Sequence, residues 1–250
     1  MIRSFRAEMV KLGRPRLLLA TAVAATMFAL VAAAVFILLG ATPEEAARAG
    51  GGTLGFARAT SVAGALVLAI FIGAVGNEFS RGTFRSMPMQ QPGRLRLLAG
   101  KMAALLAFAA GTLAVAEALS WTASLAIAPI QDIDTNAWVS TAALGEAVSV
   151  FGGMMVWVAG WGLFGMGLGV LVRSVPIALG IGVAWAGPFE GLLADDWGPA
   201  AGWLPGRLLA TFTLDDPTVS TTRVLLTLGA HCVVGLTVTG IVLARRDFTS

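Results

Sequence analysis

Few residues in this chain are equipped for chemistry, and most of them stand alone. His231 is the only histidine and Cys232 the only cysteine, side by side in an apolar stretch. One imidazole and one thiol cannot complete the four-ligand set of a structural zinc site, and a single cysteine offers no disulfide within the chain. No His-Glu-x-x-His pattern occurs. The phosphate-cradling loop G-x-x-x-x-G-K-[ST] is also missing. The one Gly-Lys pair, Gly100-Lys101, has Leu95 where the first glycine belongs and Met102 where the hydroxyl belongs. GMGLG at 165–169 lies inside an apolar run with no strand before it. Gly165 and Gly169, four residues apart, therefore predict close helix packing and not a nucleotide site. The chain reads as non-catalytic.

One carboxylate is nevertheless out of place. Glu117 is the only acid or base well inside an apolar segment. A charge at the centre of a membrane helix costs about 2.5–3.5 kcal/mol on insertion scales, so Glu117 needs a partner or water. Ser120, Ser124 and His231 are candidate partners. Two roles stay open: contact with a substrate or gating, and a hydrogen-bonded or protonated carboxyl at a helix interface. Trp157 and Trp161, one turn apart, share a helix face. With Trp121 they either line a route for a lipophilic substrate or pack helices together. Trp138, Trp197 and Trp203 suit an outer aromatic belt.

These groups need elements to hold them, and the composition says which. The chain is 57% hydrophobic and 12% charged, with a mean hydropathy of +0.82. Soluble domains carry about 25% charged residues, so this chain could not cover a water-facing surface. It reads as an all-α integral membrane protein. A span needs roughly 20 apolar residues, and six candidates run over 17–39, 61–76, 102–128, 143–172, 176–193 and 224–244. The first apolar run is too long and begins too late for a signal peptide.

The net charge of +3 does not indicate nucleic acid, because the basic residues cluster at span ends and not along one soluble face. With a cytoplasmic N-terminus, 13 of the 17 basic residues fall inside, leaving Arg48, Arg58, Arg207 and Arg223 outside. The acids Glu44, Glu45, Asp132, Asp134, Asp195, Asp196, Asp215 and Asp216 all fall outside. By the positive-inside rule both termini are cytoplasmic.

Two cytoplasmic pieces are two-faced. Over residues 1–14, Ile2, Phe5, Met9 and Leu12 share one side of a helix and Arg3, Glu8 and Lys11 the other; Gly13 and Pro15 end it. Such a helix lies in the membrane interface with its charges in water. Residues 77–100 form a basic cytoplasmic loop. Asn77 is a plausible N-cap there, Glu78, Arg81 and Arg85 take one side, and Phe79, Thr83, Phe84 and Met87 the other. Pro88 stops that helix, and Pro92-Gly93 turns the chain back toward Lys101. A helix so bounded suits docking onto another protein.

The N-terminal AEMVKLGRPR resembles the Glu-x-x-Lys-Leu…Arg opening of bacterial ABC-2-type transporter permeases. NEFSRGTFRSMPMQQPGRLRLLAGK resembles their Glu…Arg-Gly-Thr…Pro…Arg…Lys loop between the second and third spans, and the final ARRDF is similar too. The resemblance implies a multi-pass subunit of the bacterial plasma membrane, with no cofactor of its own. A separate ABC ATPase subunit binds ATP and Mg, and a second permease chain completes a homodimer or heterodimer. It implies that Glu78, Phe79, Arg81, Gly82, Thr83, Phe84 and Arg85 form a coupling helix seated on the ATPase, beside a connecting helix around Phe5, Glu8 and Lys11. It further implies short re-entrant helices in the outer loop 194–222, placed at GWLPGRLLATF, 202–212. The second span is short, which would run its inner end on into the coupling segment. Export of a hydrophobic drug, antimicrobial peptide or lipid is the leading function. A self-contained proton-coupled transporter and a non-transporting immunity or scaffold protein are the alternatives.

Overall fold

A computed structural model describes residues 1–61, 63–80, 94–214 and 220–245. Every regular element among them is a helix. The first, α1, spans Ile2–Leu12. It stops where Gly13 donates its N–H to the Met9 carbonyl, and Pro15 opens α2, Pro15–Val35, at the position where a missing N–H costs nothing. A π turn, Phe36–Gly40, closes α2. Thr42 then caps the short α3, Pro43–Ala46, by accepting the Glu45 N–H at 3.3 Å. Next come α4, Gly51–Ser61, and α5, Gly64–Ser80, a pair bent by 57°.

The longest helix, α6, runs unbroken over Arg94–Ile127. A 3-10 turn follows at Ala128–Gln131, and Asp132 takes a left-handed conformation that carboxamide and carboxylate residues tolerate better than most. Ser140 caps α7, Thr141–Val172, with its hydroxyl on the Ala143 N–H. Arg173, left-handed at φ 58°, ends it. After Ser174 come α8, Val175–Ala184, a π turn at Trp185–Phe189, and α9, Glu190–Asp196. Pro188 has no N–H to give to an α-helical ladder, which accounts for a wider turn here. The chain closes with a 3-10 turn at Gly198–Trp203, α10 at Pro205–Leu214 and α11 at Thr221–Arg245.

Four helices are long and apolar enough to cross a membrane: Pro15–Gly40, Arg96–Gln131, Thr141–Val172 and Thr222–Val242. The α4–α5 pair makes a fifth if counted as one span. The run expected at 176–193 is helical throughout, as α8, the π turn and α9 follow one another without a break. The segment expected as a loop at 77–100 is helical at both ends, because α5 continues to Ser80 and α6 already starts at Arg94. Asn77 is accordingly an exposed residue inside α5 and not a helix cap: the apolar periodicity of α5 simply runs through it.

The core lies between α5, α6 and α7. Leu68, Phe71, Ile72 and Val75 of α5 pack against Trp157, Trp161, Met166 and Val170 of α7, with Leu97, Leu98 and Leu105 of α6 joining them. Close approach is possible because α7 presents glycine to α5. A Cβ on Gly165 would stand 2.7 Å from the Leu68 carbonyl, and one on Gly169 would stand 3.3 Å from the Ile72 carbonyl. This is the packing role that the four-residue spacing predicts. A second apolar cluster joins Ala29 and Ala32 of α2 to Phe56, Ala116 and Met154.

The segment expected as an outer loop at 194–222 carries a 3-10 turn and α10 among its described residues. In α10, Leu209 lies where a Cβ on Gly160 would sit, and the Phe212 carbonyl lies where one on Gly153 would sit. Those glycines are about 18–29 Å along α7 at 1.5 Å per residue, so α10 packs beside its middle. Glu190 fastens this arrangement by accepting the Arg207 N–H at 2.9 Å, at the positive start of α10.

Candidate functional site

Three elements meet at the N-terminal end of α6. Ser4, Glu8 and Leu12, at four-residue steps, form one stripe of α1. The Ser4 hydroxyl donates to the Leu97 carbonyl at 2.8 Å, and Leu12 packs on the main core. Gly100 makes the contact possible. A Cβ there would sit 2.6 Å from the Met1 carbonyl and 2.8 Å from Ser4 Cβ, so α1 rests directly on the backbone of α6.

Four charges interlock at this junction. Lys101 Nζ of α6 donates to Glu8 Oε1 of α1 at 2.7 Å, to Glu78 Oε1 of α5 at 2.8 Å and to the Ala74 carbonyl at 3.0 Å. An ammonium has three N–H donors, and all three are used. Lys11 Nζ reaches the same two carboxylates, at 2.6 Å to Glu8 and 3.1 Å to Glu78. Among the described residues, two anions and two cations meet here. The Lys101 side chain is 3% exposed, whereas that of Lys11 is 45% exposed. Burial alone would raise the Glu8 carboxyl, yet the hydrogen bonds and charges of Lys101 and Lys11 outweigh it and hold Glu8 below its ordinary value. Burial would likewise lower Lys11, but its bonds to Glu8 and Glu78 hold it above its ordinary value. A buried pair of this kind adds little net stability over an apolar packing of equal volume. What it does here is tie α1, α5 and α6 together through shared hydrogen bonds.

Glu8 corrects an expectation. The amphipathic pattern places it in water with Arg3, but it turns into the protein because a buried lysine waits there. Of the connecting-helix residues, Phe5 is half-buried on α1, while Glu8 and Lys11 both enter the charge cluster. Of the coupling residues, Glu78 enters it and Phe79 lies within α5. Arg81, Gly82, Thr83, Phe84 and Arg85 lie outside the described residues. Lys101 is the residue that reading for chemistry passes over. It counts as one more topogenic cation, although its apolar neighbours Leu97, Leu98, Met102 and Leu105 mark a lysine facing the interior. Both lysines of the chain are in this cluster.

The pathway candidates are distributed differently. Trp157 and Trp161 are buried in the main core, against α5. Trp121 lies on α4, where its ring edge occupies the space a Cβ on Gly52 would need. Glu117, Ser120 and Ser124 are all buried on one face of α6, and the Glu117 Oε1 and both serine hydroxyls have no hydrogen-bond partner among the described residues. His231 does not serve Glu117; its Nδ1 pairs with the Thr227 carbonyl of its own helix at 2.8 Å. Trp138, placed in the outer belt, is buried instead and donates its indole N–H to the Ala46 carbonyl at 2.7 Å. Beside it Arg58 pairs with Glu45 at 3.0 Å and lies 5.1 Å over the Phe36 ring. The Arg58 hydrogen bond and charge hold Glu45 below its ordinary value. Among the described residues no group of His, Cys, Asp and Glu is placed to hold a metal ion. No protein-family model matches the chain, and no curated protein matches it.

Proposed function

We propose that this chain is the membrane permease subunit of an ATP-driven exporter, with six spans, cytoplasmic termini and a separate ABC ATPase that binds ATP and Mg. One observation supports this reading above the others. Segment 81–93, which carries the arginines proposed to dock on the ATPase, enters from the end of α5 and leaves into the start of α6. Glu78 and Lys101 lie on those two helices and bond each other, and Glu8 and Lys11 bring α1 into the same cluster. A push delivered to the segment therefore reaches three membrane-associated elements together. A loop that only set topology would need its cations in water, not one of them buried and fully hydrogen-bonded. The reading places the chain in a bacterial plasma membrane beside a second permease chain, in a homodimer or a heterodimer.

The test is co-purification. The tagged chain, co-expressed with a candidate ABC ATPase and solubilised gently, should retain that ATPase. Arg81→Glu/Arg85→Glu should release it while the permease stays inserted and folded. If the wild type retains no ATPase, the reading fails. The buried Glu117 favours one competing reading, a self-contained proton-coupled transporter. That alternative requires proton-driven flux from the chain alone in liposomes, lost in Glu117→Gln.

A further inference from the structure

We propose that Glu117, Ser120 and Ser124 form a binding site for the ammonium end of a lipophilic amine. The three side chains follow one another at steps of three and four residues, so they share a face of α6. Along the helix axis Ser124 stands about 5 Å from Ile127 and Glu117 about 15 Å. They make a short ladder of acceptors leading from the end of α6 to mid-depth. Glu117 is 7% exposed, and the two serines are fully enclosed. Its Oε1 and both hydroxyls are without a protein hydrogen bond among the described residues.

Among the described residues, those packed on the positions beside this face supply carbon and aromatic rings. Ala116, next to Glu117, packs with Ala29, Ala32, Phe56 and Met154. Phe28 and Phe56 meet edge to face at 5.8 Å in the same cluster, and Trp121 follows Ser120. Two described basic groups are engaged with other partners: Arg58 with Glu45 and the Phe36 ring, His231 with its own helix. A carboxylate and hydroxyls that accept, set among apolar and aromatic walls, match a ligand that donates hydrogen bonds and carries positive charge on an apolar body. An ammonium offers three donors, and aromatic rings attract cations. An anionic or purely apolar ligand would leave the carboxylate uncompensated. As an identification of the exported substrate this rests on the transport reading above; as a binding site it does not.

The purified chain in phosphatidylcholine nanodiscs, without any ATPase, would be titrated with dansylcadaverine and with its N-acetyl derivative, which has the same dye and stem but no charge. Empty nanodiscs correct for partition into lipid. The amine should bind at least about tenfold tighter than the acetylated probe, a difference of about 1.4 kcal/mol. Glu117→Gln should abolish that preference, Glu117→Asp should keep most of it, and Ser120→Ala should weaken the amine alone. Equal binding of the two probes by the wild type overturns the proposal, and that comparison does not depend on any variant folding. A preference that survives in folded Glu117→Gln overturns it as well. Loss of ATPase co-purification would leave both results unchanged, so the two readings fail separately.

Discussion

Replacing Lys101 with methionine keeps an unbranched side chain of similar length and removes the ammonium. Three hydrogen bonds vanish with it, those to Glu8, Glu78 and the Ala74 carbonyl. Of the lysines bonded to the two carboxylates, Lys11 then remains, and it is half in solvent. Removing one partner of a buried ion pair costs about 3–5 kcal/mol, because the remaining charge stays desolvated. Lys11→Met removes two bonds from the same carboxylates but at the wet edge of the cluster, where a pair is worth about 0–1 kcal/mol. For a chain of this size about 2–4 °C accompanies each kcal/mol. Lys101→Met should thus melt roughly 6–20 °C lower, and Lys11→Met only a few degrees lower. Melting in detergent, followed by intrinsic fluorescence, reads the difference. Limited trypsin cleavage should show α1 released in the first variant alone. Glu8→Gln in the Lys101→Met background should recover part of the loss, since it removes one stranded charge, with a coupling of about 0.5–3 kcal/mol. If Lys101→Met melts like the wild type, or no lower than Lys11→Met, the charge cluster is not what fastens α1.

The docking of α1 should depend on pH only at the extremes. Glu8 is held below its ordinary value of 4.5, so its contribution is fully present above 4.5 and disappears as pH falls through the lower folded value. Lys11 is held above its ordinary value of 10.5, so its contribution is present below 10.5 and disappears as pH rises through the higher folded value. A spin label at position 3, in a Cys232→Ser background, should keep constant mobility across neutral pH and loosen at both ends; loosening near pH 6 would contradict these assignments. In the core, Gly165→Ala should cost about 1–3 kcal/mol, because its Cβ meets the Leu68 carbonyl at 2.7 Å and a backbone oxygen cannot step aside. Gly180→Ala, with nothing within 4 Å of its Cβ, should be neutral or stabilise by up to about 1 kcal/mol. Paired melting curves distinguish them.

What was legible in the sequence is what depends on local pattern. Apolar length alone marks α2, α6, α7 and α11, and Gly13-Pro15 marks the end of α1. The glycine spacing at 165 and 169 announces a close helix contact, and the structure supplies its partner, α5. The errors arise where distant residues decide. Amphipathic periodicity assigns Glu8 to water, because nothing within α1 reveals a lysine 93 residues away. Asn77 suits a helix start, but the apolar repeat of α5 outlasts it. The run at 176–193 is helical as its hydropathy announces; what the hydropathy leaves out is the π turn beside Pro188. Glu117 was visible as an anomaly from its type and depth. That its neighbours Ser120 and Ser124 are enclosed without partners could be learned only from the packing around α6.

The π turn at Trp185–Phe189 has a geometric corollary. Such a turn holds one residue more than the α-helix around it, and each residue of an α-helix advances the azimuth by about 100°. Winding that residue out would swing everything beyond it through about the same angle. Glu190 is the first residue beyond, and its carboxylate grips the Arg207 N–H at the head of α10. The phase of α9 and the seating of α10 are consequently one variable: neither can be reset while the other is kept.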